Sequence, residues 1–291
     1  MFAAGKDFLR GNARLLEARL FESCFLGAPA VGVVDALRGY QNEDGGFGHG
    51  LEPDKRCPAS LPIDVETAFK ALASARTVDQ AMVEHACDFL ARTAAAADAG
   101  GAVPLAFPVI ESFPHAEHWS DWTYVPGLNP TAGLVGLLYQ LGVDHPWMAA
   151  GTAYCWAELE RGGLPGDAHV LSETLVFLEH VPERERADEH VAALVGNLAT
   201  IPLVKLDPDA LGYGLSPLQL APSIESPWRA LFTDEQIDAY LDRLESSQQS
   251  DGGWPISWVP PSAASLLEWR GIVTLDALRT LASYGRLGPP Y

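Results

Sequence analysis

Four carboxylates, Glu52, Asp54, Asp64 and Glu66, fall between positions 52 and 66, with Lys55 and Arg56 among them. Crowded into apolar surroundings, such a group holds one carboxyl in its protonated form near neutral pH, so that it can act as a proton donor. The same residues can equally form a solvated acidic rim paired with the two bases. His49, Asp54 and Cys57 can meet within the same loop. We expect no metal there, because a site needs three or four ligands backed by further hydrogen bonds.

The second chemistry-bearing group is aromatic. Phe107, Phe113, His115, His118, Trp119, Trp122 and Tyr124 lie in a proline-rich stretch. Aromatic faces of this kind stabilise a carbocation, stack on sugar rings, or serve as plain core. A further proline-punctuated stretch runs from Tyr213 to Trp228, and a last one carries Trp258, Glu268, Trp269 and Arg270. The serines of the Ser-Pro dipeptides lack a G-x-S-x-G context, so a hydrolase triad has no support.

Helices must position these residues. Phe8, Leu9, Leu15, Leu16, Leu20 and Phe25 fall on one face of a first predicted helix. Others are predicted over 31–40, 64–74, 78–94, 130–141, 148–160, 168–180, 183–199, 234–247 and 272–284. Asn129-Pro130 reads as an N-cap with proline at the first helical position, and Thr233 with Gln236 as a capping box. No alternating β-branched series appears, so the expected class is all-α. With no linker or low-complexity run to divide it, the chain is expected to be one domain, 1–291.

The loops between helices repeat. Gln41-Asn42-Glu43-Asp44-Gly45-Gly46-Phe47 and Gln248-Gln249-Ser250-Asp251-Gly252-Gly253-Trp254 share Q-x-x-D-G-G-aromatic at identical spacing, with weaker echoes at Gly100-Gly101 and Gly162-Gly163. Thr67 and Thr274 each lie 26 positions after the motif glutamine. The glycines permit a tight reversal, the aspartate accepts hydrogen bonds within the turn, the aromatic fills the gap between hairpins, and the glutamine ties one helix end to another. These residues therefore read as structural first. The loop from His49 to Pro58 is longer than its counterpart after the second motif, which marks it as a place for function.

This pattern resembles the glutamine-tryptophan repeat of class II terpene cyclases, including squalene-hopene cyclases, and the related repeat of prenyltransferase β subunits. The resemblance spans nearly the whole chain and implies an α/α toroid of about five or six helical hairpins around a central cavity. Class II cyclases carry an acidic D-x-D-D motif. Here the nearest segment is Ile63-Asp64-Val65-Glu66-Thr67-Ala68, one carboxylate short, and Asp64 can also be a helix N-cap. The Asp, Cys and His zinc set of the prenyltransferases is not reproduced.

With 291 residues, 48% hydrophobic and 20% charged, the chain can bury a substantial core. Its 19 bases against 38 acids leave a net charge of −19. That argues against nucleic acid and anionic membranes. No signal-peptide core or spanning run appears, so a cytoplasmic protein without a membrane span is expected. Cys24, Cys57, Cys87 and Cys155 form no C-x-x-C pair and read as mostly buried thiols.

The resemblance implies an enzyme that acts on a small apolar isoprenoid by protonation-initiated cyclisation or isomerisation, without cofactor or metal. Glu66 or Asp64 would be its acid, with Asp54 and Glu52 as the neighbouring carboxylates, and Trp119 and Trp122 would shield the cation. Tyr124, His49, Arg56, Trp258 and Trp269 complete the expected substrate-binding set. A carbohydrate-active toroid using Glu52, Asp54 and Glu66 as acid and base is the alternative, and a non-catalytic module for a hydrophobic ligand is a third.

Overall fold

The two glycine-aromatic loops behave as one structural device used twice. Gln41 donates from Nε2 to Gly45 O and Met82 O (both 2.9 Å), and Gln248 donates to Gly252 O (2.8 Å) and Met1 O (3.0 Å). Asp44 and Asp251 accept from the backbone N–H of Gly46 and Gly253. Gly45 and Gly252 have φ of +89° and +91°, and a Cβ on either would collide with a helix carbonyl, His85 O in one case and Ala4 O in the other. Only glycine satisfies both conditions. Gly101 docks in the same way against Ala150, whereas Gly162 and Gly163 face open space.

The computed structural model describes residues 1–120 and 122–288. Among them are twelve α-helices: α1 (Phe2–Asn12), α2 (Leu15–Leu26), α3 (Val31–Arg38), α4 (Pro62–Ser74), α5 (Gln80–Ala97), α6 (Leu128–Leu141), α7 (Pro146–Glu160), α8 (Ala168–His180), α9 (Arg184–Leu194), α10 (Pro217–Leu220), α11 (Asp234–Ser246) and α12 (Ala263–Ser283). The described residues contain no β-strand, only three isolated bridges. The fold is all-α.

Helices α12, α2, α4, α6 and α8 pack on one another in succession, with α1, α3, α5, α7, α9 and α11 against them. Between α8 and α12 the connection passes through the irregular segment 195–233. Its links include Ala168 N–H to Pro202 O, Tyr240 Oη to Lys205 O, and Tyr284 Oη to Ala221 O. The closest approach is that of α6 to α8. Gly133 and Gly136 present a flat strip there, and a Cβ on Gly136 would lie 2.5 Å from Val176 O. One apolar core runs through the helices. A smaller one, with Cys57, Leu61, Ile110 and Trp119, lies beneath the aromatic loop.

Several predicted elements are corrected. The first helix is two, because Ala13 and Arg14 are extended (ψ 160° and 162°). Arg14 there turns to pair with Glu17 and to donate to Leu51 O at 2.7 Å. α5 begins at Gln80, capped by Asp79. α9 stops at Leu194, just before the positive-φ Gly196. α12 begins at Ala263, capped by Ser262. Its first turns hold the exposed Leu266 and Leu267, whose placement broke the apolar period. Asn129 is extended and joined to Pro130 by a cis peptide, and no side-chain cap bond forms at that helix start. The Thr233–Gln236 capping box is present. Thr274 accepts the Trp254 N–H, a role that Thr131 fills for Val103, whereas Thr67 bonds back to Ile63 O.

No helix among the described residues is long and apolar enough to cross a membrane. Cys57, Cys87 and Cys155 are buried thiols, while Cys24 is exposed.

Candidate functional site

The long loop after the first motif is held at both flanks. Arg14 binds the carbonyls of Gly50 and Leu51. Residues 54–56 pair with residues 114–116 through Arg56 N–H to Pro114 O (2.8 Å) and Ala116 N–H to Asp54 O (2.7 Å). This pairing carries the His118–Trp119 turn onto the carboxylate loop. Lys55 points inward and is completely buried. Its ammonium lies 2.7 Å from Glu52 Oε2, 3.3 Å from Asp64 Oδ1 and 5.9 Å from the Trp119 ring centroid.

Asp64, in the first turn of α4, does not cap its own helix. It accepts the Glu52 N–H at 2.7 Å, while its Oδ2 is buried without a hydrogen-bond partner. Burial raises its pKa to about 6 against the opposing pull of Lys55. A fully buried ammonium between two carboxylates is a locked ion cluster, closed to substrate.

Asp54 faces the other way. Its Oδ1 accepts from the indole N–H of Trp258 (3.1 Å) and Trp269 (2.7 Å), and its Oδ2 lies 3.7 Å from His118 Nε2. Burial and the neighbouring charge of Glu52 raise its pKa to about 6, against the indole hydrogen bonds. Burial also lowers the pKa of His118. Beside this carboxyl stands Trp258, edge-on to Trp269 and to Tyr213 (centroids 5.0 and 6.0 Å apart), while Trp122 lies 4.9 Å from Trp119. The His118 side chain is 50% exposed, and Trp122 and Tyr213 are 37% and 39% exposed. The cluster therefore opens to solvent on an aromatic rim, with a carboxyl of raised pKa at its base.

Glu66 belongs to a different place. One turn further along α4, it pairs with Lys70 and meets Glu173 of α8 over Gly133 of α6, where a Cβ would overlap Glu173 Oε2 and lie 3.3 Å from Glu66 Oε1. Lys70 Nζ is 3.3 Å from Glu173 Oε1. Glu66 Oε1 takes the Lys70 ammonium, whereas Glu173 Oε2, which faces it, is buried with no hydrogen-bond partner. Burial, then the charge of Glu66, raises the pKa of Glu173 well above its ordinary value, which favours its neutral form.

The structure thus gathers Glu52, Asp54, Asp64, Trp119, Trp122, Trp258 and Trp269, and leaves Glu66 apart. His49 bonds Asn42 (2.8 Å), Tyr124 bonds Glu111 (3.0 Å), and Arg56 is paired with Glu268 through both guanidinium nitrogens. Arg270 forks onto Asp251 of the second motif. His49, Asp54 and Cys57 do not converge, and among the described residues no group of three or more such side chains is arranged to hold a metal. Sequence reasoning passed over Glu173, Lys70 and His169. Each stands on an ordinary amphipathic helix with no local signal, and only the packing of α4, α6 and α8 and the 203–215 loop brings them to the polar clusters. Surface depressions of about 640 and 570 Å³ lie elsewhere, beside Arg229 and Arg286 and beside Phe89 and Phe107.

No protein-family model matches the chain, and no curated protein matches it. Among solved structures it is similar to the crystal structure of a protein from Actinoplanes, with 17% identity and a TM-score of 0.59 over 96% of this chain and 98% of that one. At that identity the likeness is one of fold.

Proposed function

We propose that the Asp54 cluster is an acid–base site for a neutral, polyhydroxylated ligand, and that the protein hydrolyses a glycosidic bond. The observation that carries this reading is the position of the Asp54 carboxyl. It has a pKa of about 6, is held by two indole N–H groups, and lies at the base of a half-open aromatic rim. Aromatic faces beside a proton-sharing carboxyl suit a sugar ring and its bridging oxygen. The net charge of −19 favours a ligand without phosphate or carboxylate. Asp54 in its acid form protonates the leaving oxygen, and Trp258 and Trp269 stabilise the carboxylate that remains.

The test is incubation of the purified protein with a panel of neutral oligosaccharides and polysaccharides, read by reducing-end release, beside Asp54→Asn. Asparagine keeps the two indole hydrogen bonds but cannot give up a proton at neutral pH. General acid catalysis contributes roughly 10²–10⁴-fold, and the variant should lose about that much activity. Equal activity in both proteins would remove Asp54 from the chemistry.

The repeat and the buried meeting of Glu66 with Glu173 over Gly133 support a second reading, in which the helix arc is part of a closed toroid and an isoprenoid is protonated from Glu66 inside it. A cyclic product formed from a linear polyprenyl substrate by the wild type, and lost in Glu66→Gln, would favour it. Binding without turnover of either class would favour a non-catalytic module.

A further inference from the structure

Beside the Asp54 rim, the start of α8 and the 203–215 loop bring three side chains into a line that no single stretch of sequence contains. Asp167 caps α8 through Oδ1, which accepts from the N–H of His169 (2.8 Å) and Val170 (3.1 Å), and the same oxygen lies 3.5 Å from His169 Nδ1. On its other edge, His169 Nε2 is 2.9 Å from Tyr213 Oη. The two rings are inclined by only 12°, with centroids 5.7 Å apart.

An imidazole has one donor and one acceptor nitrogen when neutral. The carboxylate beside Nδ1, at ion-pair distance, favours the proton there, which makes Nε2 the acceptor and the phenol the donor. That assignment leaves the phenolic oxygen, on a side chain 39% exposed, free to accept a further hydrogen bond.

The backbone is built to hold the phenol in place. Lys205 N–H donates to Leu215 O (2.9 Å), and Leu215 N–H donates to Leu203 O (2.8 Å). Gly214 lies so close to this strap that a Cβ would stand 2.5 Å from Leu203 O. Lys205 Nζ closes the turn on Leu211 O at 3.0 Å. Tyr213 then packs edge-on to Trp258, whose indole holds Asp54. Phenol and carboxyl thus both adjoin Trp258, the phenol through the ring and the carboxyl through the indole N–H.

We infer that Asp167, His169 and Tyr213 form a proton relay, with Tyr213 Oη the proton acceptor that faces the ligand across from Asp54. The inference rests on the carbohydrate reading for its substrate, but the relay itself does not. Water attacks the anomeric carbon as the glycosidic C–O bond breaks. The water proton passes to Tyr213 Oη, the phenolic proton passes to His169 Nε2, and the Asp54 proton goes to the leaving oxygen. The imidazolium is held by Asp167 until the proton returns, so the step needs no oxidant or reductant.

The deciding experiment is long-range ¹⁵N–¹H correlation of histidine-labelled protein at a pH where imidazoles are neutral, with His169→Asn assigning the resonance. The expected spectrum shows His169 as the Nδ1–H tautomer, with its Nε2 resonance moving downfield in Tyr213→Phe as the donor is lost. An Nε2–H tautomer, or an Nε2 resonance indifferent to Tyr213→Phe, overturns the relay, and the wild-type tautomer decides even where a variant does not fold. On a saccharide cleaved by the wild type, Tyr213→Phe should lower kcat by roughly 10²–10⁴-fold and leave KM within about twofold, a split marking transition-state rather than binding loss. Undiminished turnover in Tyr213→Phe overturns the inference while Asp54 chemistry stands. An intact tautomer with no saccharide turnover supports the relay and removes the carbohydrate reading.

Discussion

Replacing Lys55 by methionine keeps most of the side-chain volume and deletes one buried charge. Asp64, itself wholly buried, then loses the ammonium at 3.3 Å, and Glu52 loses its partner at 2.7 Å. Breaking a buried ion pair from one side costs about 3–5 kcal/mol. The pH dependence makes the test specific. Asp64 has a pKa of about 6 with Lys55 present, and that ammonium is the main influence holding it down, so its removal moves the pKa upward.

In the interval between the two values, the folded variant binds a proton that the folded wild type does not, while both unfolded chains are ionised. The variant alone therefore loses stability as pH rises there, at about 1.4 kcal/mol per pH unit. Between pH 6 and pH 8 the gap widens by up to about 3 kcal/mol, and proton uptake at Asp54, which Lys55 also holds down, adds in the same sense. Urea unfolding of both proteins at the two pH values measures this. A destabilisation equal at pH 6 and pH 8, or none at pH 8, would refute the buried cluster. Lys55→Met combined with Asp64→Asn should recover part of the loss at pH 8.

Gly133→Ala should be costly for the same region, because its Cβ would overlap Glu173 Oε2; we expect a loss of about 1–3 kcal/mol by thermal unfolding. Gly11→Ala, with nothing within 4 Å, should gain up to about 1 kcal/mol, and a Gly133 variant as stable as the wild type would disprove the close approach of α6 and α8. Trp254→Ala removes a buried ring whose Nε1 donates to Leu244 O at 2.7 Å. Its urea midpoint should fall by the equivalent of about 3–5 kcal/mol, as for other buried aromatic truncations, and an unchanged midpoint would contradict the structural role of the motif.

The helical class was legible because apolar spacing survives in most helices, and the motif was legible because its geometry leaves little choice of residue at Gln41, Asp44, Gly45 and their later counterparts. Helix starts were less legible. α12 opens with leucines that face solvent, and the Ala13–Arg14 break is made by contacts with Leu51 and Glu17 rather than by a local turn signal. In the site, the stretch from Glu52 to Glu66 was visible as a cluster, but its division was not. Whether a carboxylate meets Lys55, two indoles or a second glutamate depends on Trp258, Trp269 and Glu173, more than a hundred positions away. A lysine reads as solvent-facing until packing shows otherwise.

The second motif loop docks on α1 as the first docks on α5: Gln248 reaches Met1 O as Gln41 reaches Met82 O, and Phe8 lies under Gly253 as Phe89 lies under Gly46. On the ribosome this leaves α1 with only α2 to pack on at first. Its apolar face is complete roughly 240 residues before the loop that receives it, a wait of about 12–50 s at ordinary elongation rates. The seam between α1 and α12 therefore closes late, and Phe8 meets Gly253 only then. Moving α1 to follow α12 would make that seam local and shorten the wait.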